Sequence, residues 1–387
     1  MGRARARTPC DRAQTGKGPT VQRLMEKRRR KTRCVCVLGS ALVAAAATGQ
    51  SKEQLAAWLA RFPEADANKD GVLTVEEARA FREARRKRGG RQDRFRKAVI
   101  KPSHANVAYG PHPRNVLDLW LATSEKPTPL LVCIHGGGFR QGDKKKYAGD
   151  RTLIRAMDKA GVSVAAINYR LTEGGKHPYP AAMHDGARAV QFLRYNAAKY
   201  NLDKTRFAAT GGSAGGCMLM WLGFHPDLAQ PDHEDPVLRE SSRLQVLAPK
   251  NGPSCLHVPT LKQWFEVESL LEHPALRPLF GLPEEGEIQW TDKLDAMMRD
   301  ASPVTHLTAD DPPVYMTFGA ARKVHAESPP GLWVHHPVMG LKLKEAMDRL
   351  GLECHVQYTG GPPIPEYASQ QDFIIRKLTG RKGGRQE

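Results

Sequence analysis

Short apolar runs alternate with amphipathic stretches along most of the chain. Val116 to Leu121, Pro129 to Ile134 and Val162 to Tyr169 are apolar enough to predict strands, the last two buried on both faces. Between them Lys144 to Gly161 predicts a helix, and Ala181 to Tyr200 predicts another with Met183, Ala187, Val190, Leu193 and Ala197 along one face. A further strand ends at Thr210 and passes through Gly211-Gly212-Ser213-Ala214-Gly215-Gly216 into a Met- and Leu-rich helix that reaches Phe224. Arg243 to Ala248, Pro313 to Phe318 and Glu353 to Tyr358 predict the remaining strands. A helix with Leu343, Met347 and Leu350 on one face, closed by Gly351, precedes the last of them. Strands alternating with helices predict an α/β fold with a doubly wound, mostly parallel sheet, whose site lies at the carboxyl ends of its strands. Leu256 to Pro303 has a mixed helical pattern and carries Trp264, Phe265 and Phe280; it forms either a cap over the site or an enlarged crossover.

The pattern before this region is different. Ser51 and Gln54 make a capping box, and Leu55, Trp58, Leu59 and Phe62 follow at helical spacing. The helix runs into Asp66-Ala-Asn68-Lys-Asp70-Gly71-Val72-Leu-Thr74-Val-Glu76-Glu77, and a second helix is predicted from Val75 to about Arg88. The loop resembles that of an EF-hand. Side-chain oxygens fall at positions 1, 3 and 5 (Asp66, Asn68, Asp70), glycine at 6 (Gly71), a carbonyl at 7 (Val72), Thr74 at 9 and a bidentate carboxylate at 12 (Glu77). Calcium is the implied ion; an acidic loop between two helices is the plainer reading. Only one such loop is found, which points to weak binding and a stabilising or docking role rather than signalling.

Charge divides the chain further. The formal net charge is +18, but residues 1–47 hold twelve Lys/Arg against two Asp/Glu, and residues 82–97 hold nine against two. Almost all the excess therefore lies outside the predicted α/β region, which argues against a nucleic-acid-binding surface there. Lys27 to Arg33 is a basic block followed by the apolar run Cys34 to Ala47, the pattern of a secretory signal peptide, with Met25 as an alternative start; a basic tail with an apolar stretch is the other reading. Residues 1–50 are thus read as a basic segment and signal peptide, 51–88 as an EF-hand module, 89–105 as a basic linker, 106–380 as the α/β domain and 381–387 as a basic tail. The implied location is secreted or periplasmic in a bacterium. The linker is a solvated hinge or a weak contact for an anionic surface. Cys133, Cys217, Cys255 and Cys354 remain beyond the signal and show neither a disulfide framework nor a zinc-like spacing.

Ser213 sits where a strand turns sharply into a helix, with Gly211 and Gly215 two residues to either side. A serine on such an elbow is a candidate nucleophile, although G-x-S-x-G alone also fits a plain turn or a phosphate cradle. Upstream, the strand Leu130 to Ile134 ends in His135-Gly136-Gly137-Gly138-Phe139. Consecutive glycines there free amides to converge on one point, as an oxyanion hole requires. With Asn168-Tyr-Arg-Leu171 and the HPYPAAMHD run ending at Asp185, the chain from about Val107 to Leu378 resembles the α/β-hydrolase superfamily. The likeness is to its hormone-sensitive-lipase-like and feruloyl-esterase-like (BD-FAE-like) carboxylesterases. It implies ester hydrolysis through a Ser213 acyl-enzyme, with the amides of Gly137, Gly138 and Ala214 as the oxyanion hole. Acyl groups on carbohydrate are the substrate class it suggests. No cofactor is expected for that chemistry.

The family places an acid after the next-to-last strand and a histidine after the last. Here Gly319-Ala-Ala-Arg-Lys323 has no carboxylate, and no histidine follows His355. The loop from Ala320 to Gly340 leaves the correct end of the sheet, so His336 or His335 is the expected base and Glu327 the expected orienting acid. The pair His335-His336 also fits simple packing or solvent exposure. His135 and Asp185 are read as structural. The alternative function is a hydrolase-fold binding protein without a working triad, and a third reading makes the calcium module the main function.

Overall fold

The computed structural model describes residues 52–84 and 99–381. They belong to two compact units divided at Gln92/Asp93, inside the predicted linker. The signal-like segment, the capping-box side chains, most of the linker and the tail from residue 382 lie outside the described residues.

In the first unit, helix Lys52–Arg61 leads through a 3-10 turn, Pro63–Ala65, to the acidic loop and a helix over 75–84. The predicted apolar face makes its core: Leu55, Trp58, Leu59 and Phe62 pack with Phe81 on Ala65, Leu73 and Ala78. Trp58 and Phe62 meet edge-on at 5.5 Å.

The second unit is one eight-stranded sheet: β1 (His104–Ala108), β2 (Val116–Trp120), β3 (Thr128–Ile134), β4 (Ser163–Ile167), β5 (Leu202–Gly212), β6 (Val246–Lys250), β7 (Val314–Phe318) and β8 (Cys354–Tyr358). They lie in the order β1-β2-β4-β3-β5-β6-β7-β8. β2 runs antiparallel to β1 and β4, and every other pairing is parallel. Both faces are covered. Helices Ala181–Tyr195, Ala214–Phe224 and Val338–Arg349 bury one face, and Arg151–Ala160 with Gln370–Thr379 buries the other. All seven residues of β3 are buried, which is why that strand reads as an unbroken apolar run.

Several boundaries differ from the pattern. The helix predicted over Lys144 to Gly161 is broken at Gly149, because Asp150 caps a new helix by accepting the Leu153 amide. The helix predicted to Tyr200 stops at Tyr195, and β6 begins at Val246 rather than Arg243. Strand β1 is mostly exposed and gives no apolar signal. The segment after Leu256 holds helices Val258–Phe265, Leu276–Phe280 and Asp292–Asp300.

Adjacent β3 and β5 bring two turns against each other with almost no space between their backbones. A Cβ on Gly215 would lie 2.2 Å from the Ile134 carbonyl oxygen, and one on Gly211 would lie 2.6 Å from the same atom. On Gly212 the nearest atom would be 3.7 Å away. Gly215→Ala is therefore expected to lower stability by about 3 kcal/mol through overpacking against rigid backbone, whereas Gly212→Ala should stay within about 0.5 kcal/mol. Urea denaturation of the two variants distinguishes them.

Candidate active site

Strand β5 delivers Ser213 to the carboxyl edge of the sheet in a backbone conformation, φ 53° and ψ −121°, that a side-chain-bearing residue rarely adopts. The Ser213 amide donates to the Lys250 carbonyl at 2.9 Å, and the helix Ala214–Phe224 starts immediately after it. Strain at that residue, held by the flanking close-packed glycines, lifts Oγ clear of the sheet. It meets His335 Nε2 at 2.8 Å.

The two adjacent histidines do different things. His335 ends the short helix Pro330–Val334, with the main-chain carbonyl of Gly331 near enough to favour a proton on its ring. A proton on Nδ1 leaves the Nε2 lone pair facing Ser213. Burial holds the ring below the usual imidazole range. His336 is turned the other way. Its Nδ1 accepts the Val338 amide at 3.1 Å and its Nε2 donates to the Arg322 carbonyl at 2.9 Å, with Phe265 edge-on at 5.3 Å. Both nitrogens are occupied in holding the loop, which removes His336 from the expected role of base. Glu327 is exposed, and among the described residues no hydrogen bond joins it to either histidine, so the expected orienting acid is also corrected. The loop reaches Ser213 because Trp333 is buried and donates its indole N–H to the Leu271 carbonyl at 3.1 Å.

The glycine turn lies beside the serine. Gly137 (φ 114°) and Gly138 (φ 61°) adopt conformations open to glycine, and a Cβ on Gly136 would lie 2.4 Å from the Gly212 carbonyl. No acceptor among the described residues takes the amides of Gly137 or Gly138, and Ala214 begins a helix whose first amides have no intrahelical acceptor. Gly138 and Ala214 line a narrow pocket with Ser213, and Gly137 lines the adjoining cleft with it. His135 stacks on Tyr169 at 4.3 Å, donates from Nδ1 to the Gly136 carbonyl and receives Arg114 at Nε2. Burial lowers its pKa to about 4, so it stays neutral and holds the turn. The turn's far end is fixed by buried Lys144, which donates to Asp118 at 2.6 Å and to Asn106 at 2.8 Å. Asp185 is buried under a two-pronged pair with Arg170.

Two unlike spaces open from the Ser213–His335 pair. One is a narrow pocket of about 40 Å³ lined by Phe139, Leu256, Leu261, Leu276, Leu279 and Trp333. The other is a broad polar cleft of about 480 Å³ that includes Asp143, Lys146, Asp150, Lys250 and Asn251. The segment after Leu256 walls the narrow pocket, so it is a cap in the sense the sequence left open.

A family profile, BD-FAE, matches residues 117–326, more than half of the chain. The chain belongs to the BD-FAE family. It is 28% identical over 218 residues to the probable carboxylic ester hydrolase LipM of Mycobacterium tuberculosis, covering 55% of this chain and 47% of that protein. It is 26% identical to esterase LipQ of the same organism over 222 residues, 56% of this chain and 48% of that one. The chain thus spans about half the length of these curated relatives. Among solved structures, a truncated carbohydrate esterase from gut microbiota has the same fold, with a TM-score of 0.54 at 20% identity over 73% of this chain and 98% of that one. A bifunctional GH43-CE protein of Bacteroides eggerthii gives 0.53 at 21% identity, over 71% and 38%. Within the BD-FAE match lie the glycine turn, Ser213 and Glu327's neighbour Ala326 as its last residue; His335 lies beyond it.

Ser213→Ala and His335→Ala should each reduce kcat/KM for an ester by on the order of 10³-fold or more. His336→Ala should instead destabilise the loop by about 1–3 kcal/mol and leave turnover within about tenfold. Glu327→Gln should change nothing measurable. Because only neutral His335 accepts a proton and burial lowers its pKa, activity should fall as pH drops through a midpoint below the ordinary 6.5. Steady-state kinetics over pH 4 to 9, roughly the span these values require, provide the check.

Proposed function

We propose that the α/β unit is a serine carboxylesterase for short acyl groups carried on a polar, carbohydrate-like alcohol. The observation that carries this reading is the 2.8 Å contact between Ser213 Oγ and His335 Nε2 on a strained elbow beside unpaired glycine amides. Ser213 Oγ attacks the ester carbonyl carbon while His335 Nε2 takes its proton. The negative oxygen that forms is received by the amides of Gly137, Gly138 and Ala214. Collapse of this intermediate expels the alcohol, which collects the proton from His335 and leaves the acyl group on Ser213. Water activated by the same nitrogen then releases the acid.

Shape and polarity support the assignment of the two halves of the ester. The narrow pocket, lined almost wholly by apolar side chains, suits a short acyl chain. The wide polar cleft offers carboxylates, lysines and an amide to hydroxyl groups. The solved structure of the same fold from gut microbiota is of a carbohydrate esterase, which agrees with this division. One observation favours a second reading, an impaired hydrolase-fold binding protein. Among the described residues no hydrogen bond joins His335 to a carboxylate, so no negative charge stabilises an imidazolium there.

The N-terminal unit is proposed as a weak calcium module. The chemistry of its donor set fits the ion: Gly71 adopts φ 80°, Leu73 is buried in the small core, and the Asp66 and Asp70 carboxylates accept amides of the loop they would share with it. Glu77 reaches back across it to the amides of Ala67 and Asn68 with one oxygen and to Thr74 with the other. The hydrogen bonds with Thr74 hold its carboxyl below the usual range. Asp66, Asn68, Asp70, the Val72 carbonyl, Thr74 and Glu77 would hold calcium, which would cross-link the loop. Export to the periplasm or medium, where calcium is plentiful, is part of the same proposal.

Hydrolysis of p-nitrophenyl esters tests the main claim. Acetate and butyrate should be cleaved, octanoate at least about tenfold more slowly because each extra methylene lacks room, and Ser213→Ala should be inactive. Equal rates in wild type and Ser213→Ala, or none in either, would move the binding-protein reading to first place. Calorimetry should give a calcium Kd of about 10⁻⁴–10⁻³ M, lost in Glu77→Gln without a change in esterase rate.

A further inference from the structure

Two trios among the described residues combine two imidazoles with a carboxylate: His112, Glu173 and His177, and His225, Asp300 and His306. In each, one ligand atom per residue lies within 4.8 Å of the others. Hydrogen bonding separates them. His112 Nδ1 already accepts the Arg114 amide at 3.1 Å, so the lone pair of the neutral ring is in use.

The second trio has the opposite arrangement. His225 Nδ1 donates to the Pro226 carbonyl at 2.9 Å, and His306 Nε2 donates to the Asp300 carbonyl at 2.6 Å. Those nitrogens therefore carry the protons, and the other nitrogen of each neutral ring keeps a lone pair. For His225 this donation is the outer-shell arrangement that orients metal-binding histidines, whereas His306 Nε2 also lies 3.8 Å from Asp300 Oδ1, so zinc would take that nitrogen in place of its proton. Asp300 is fixed as well. Its Oδ2 accepts from buried Tyr179 Oη at 2.6 Å, its carbonyl accepts from Trp221 Nε1 at 3.0 Å, and Oδ1 faces His306 Nε2 at 3.8 Å. Trp221 stacks on His225 at 4.0 Å, and the two imidazoles lie edge to face at 4.8 Å.

We propose that His225, Asp300 and His306 bind Zn²⁺, or a divalent transition ion of the same borderline character, as a structural clamp. Two nitrogens and one carboxylate oxygen suit zinc, with water in the fourth position, and do not suit calcium or magnesium. Zinc bonds of about 2.0–2.1 Å would draw the three ligand atoms to about 3.3 Å apart, a small inward movement of side chains that remain partly exposed. The clamp joins distant parts of the chain. His225 follows the last residue of the helix that begins at Ser213, Asp300 ends the helix Asp292–Asp300 of the cap, and His306 ends the turn Pro303–His306. Zinc bound there ties the cap that walls the narrow pocket to the far end of the nucleophile helix.

The test uses the full protein, stripped with chelator and kept in excess calcium so that the acidic loop is occupied. Zinc chloride is titrated by calorimetry, and cobalt chloride by visible absorption. Wild type should bind one zinc per chain, with a thermal midpoint raised by several degrees and cobalt bands of a nitrogen- and oxygen-bound ion. His225→Gln and His306→Gln should weaken zinc at least 30-fold and abolish the thermal shift. Matching metal-free circular dichroism and melting would show that they still fold. His177→Gln, in the other trio, should bind as wild type does. Binding unchanged in both His225→Gln and His306→Gln, binding lost only in His177→Gln, or no zinc bound by wild type overturns the proposal.

Discussion

The site depends on a place where two backbones touch with no side chain between them. Strands β3 and β5 are neighbours, and the turns that leave them at the same edge of the sheet pass within contact distance, so that Gly136 faces Gly212 and Gly215 faces Ile134. Any Cβ at Gly136 or Gly215 would overlap a main-chain carbonyl. That contact brings the free amides after β3 beside the serine after β5. Neither turn is left to itself. The first is tied to the sheet through His135, Tyr169 and the buried Lys144–Asp118 pair, and the second through the Ser213–Lys250 main-chain bond. Rigid donors at such a position act on a developing charge without having to reorganise.

The proposed base comes from elsewhere than the family order implies. The chain has no histidine after β8, and the loop that follows β7 carries His335 to the same point. It can do so because it is anchored on either side of His335: Trp333 is buried against the cap, and His336 is bonded to Arg322 and Val338. Gly331 contributes only a carbonyl to the ring. Such an orienting group selects the reactive tautomer, but it contributes less than a carboxylate when the ring becomes charged. On the proposed reading Ser213 and His335 form a dyad, and the lowered basicity of His335 follows from burial.

Much of this was legible in the sequence where local patterns and tertiary roles coincide. The buried central strands, the elbow and the glycine turn are each written in a contiguous run, so Ser213, Gly137, Gly138 and Ala214 could be named directly. The choice between His335 and His336 could not. One step along a turn rotates a side chain to a different neighbour, and only Ser213 on one side and Arg322 and Val338 on the other distinguish them. Glu327 was selected by residue type, yet it lies exposed. Strand β1 was missed because an exposed edge needs no apolar residues. The trio of His225, Asp300 and His306 was equally hidden, since the ends of two helices and a turn meet there only in the folded chain.

The central claim, that His335 alone activates Ser213, is tested most directly by the rate at which a fluorophosphonate modifies the protein, read by intact mass and peptide mapping. Wild type should gain one adduct, on Ser213, with a rate that falls as pH drops below the usual imidazole range; His336→Ala should behave alike, and His335→Ala should react on the order of 10³-fold more slowly. Equal rates in wild type and His335→Ala, or an adduct elsewhere than Ser213, would contradict the account.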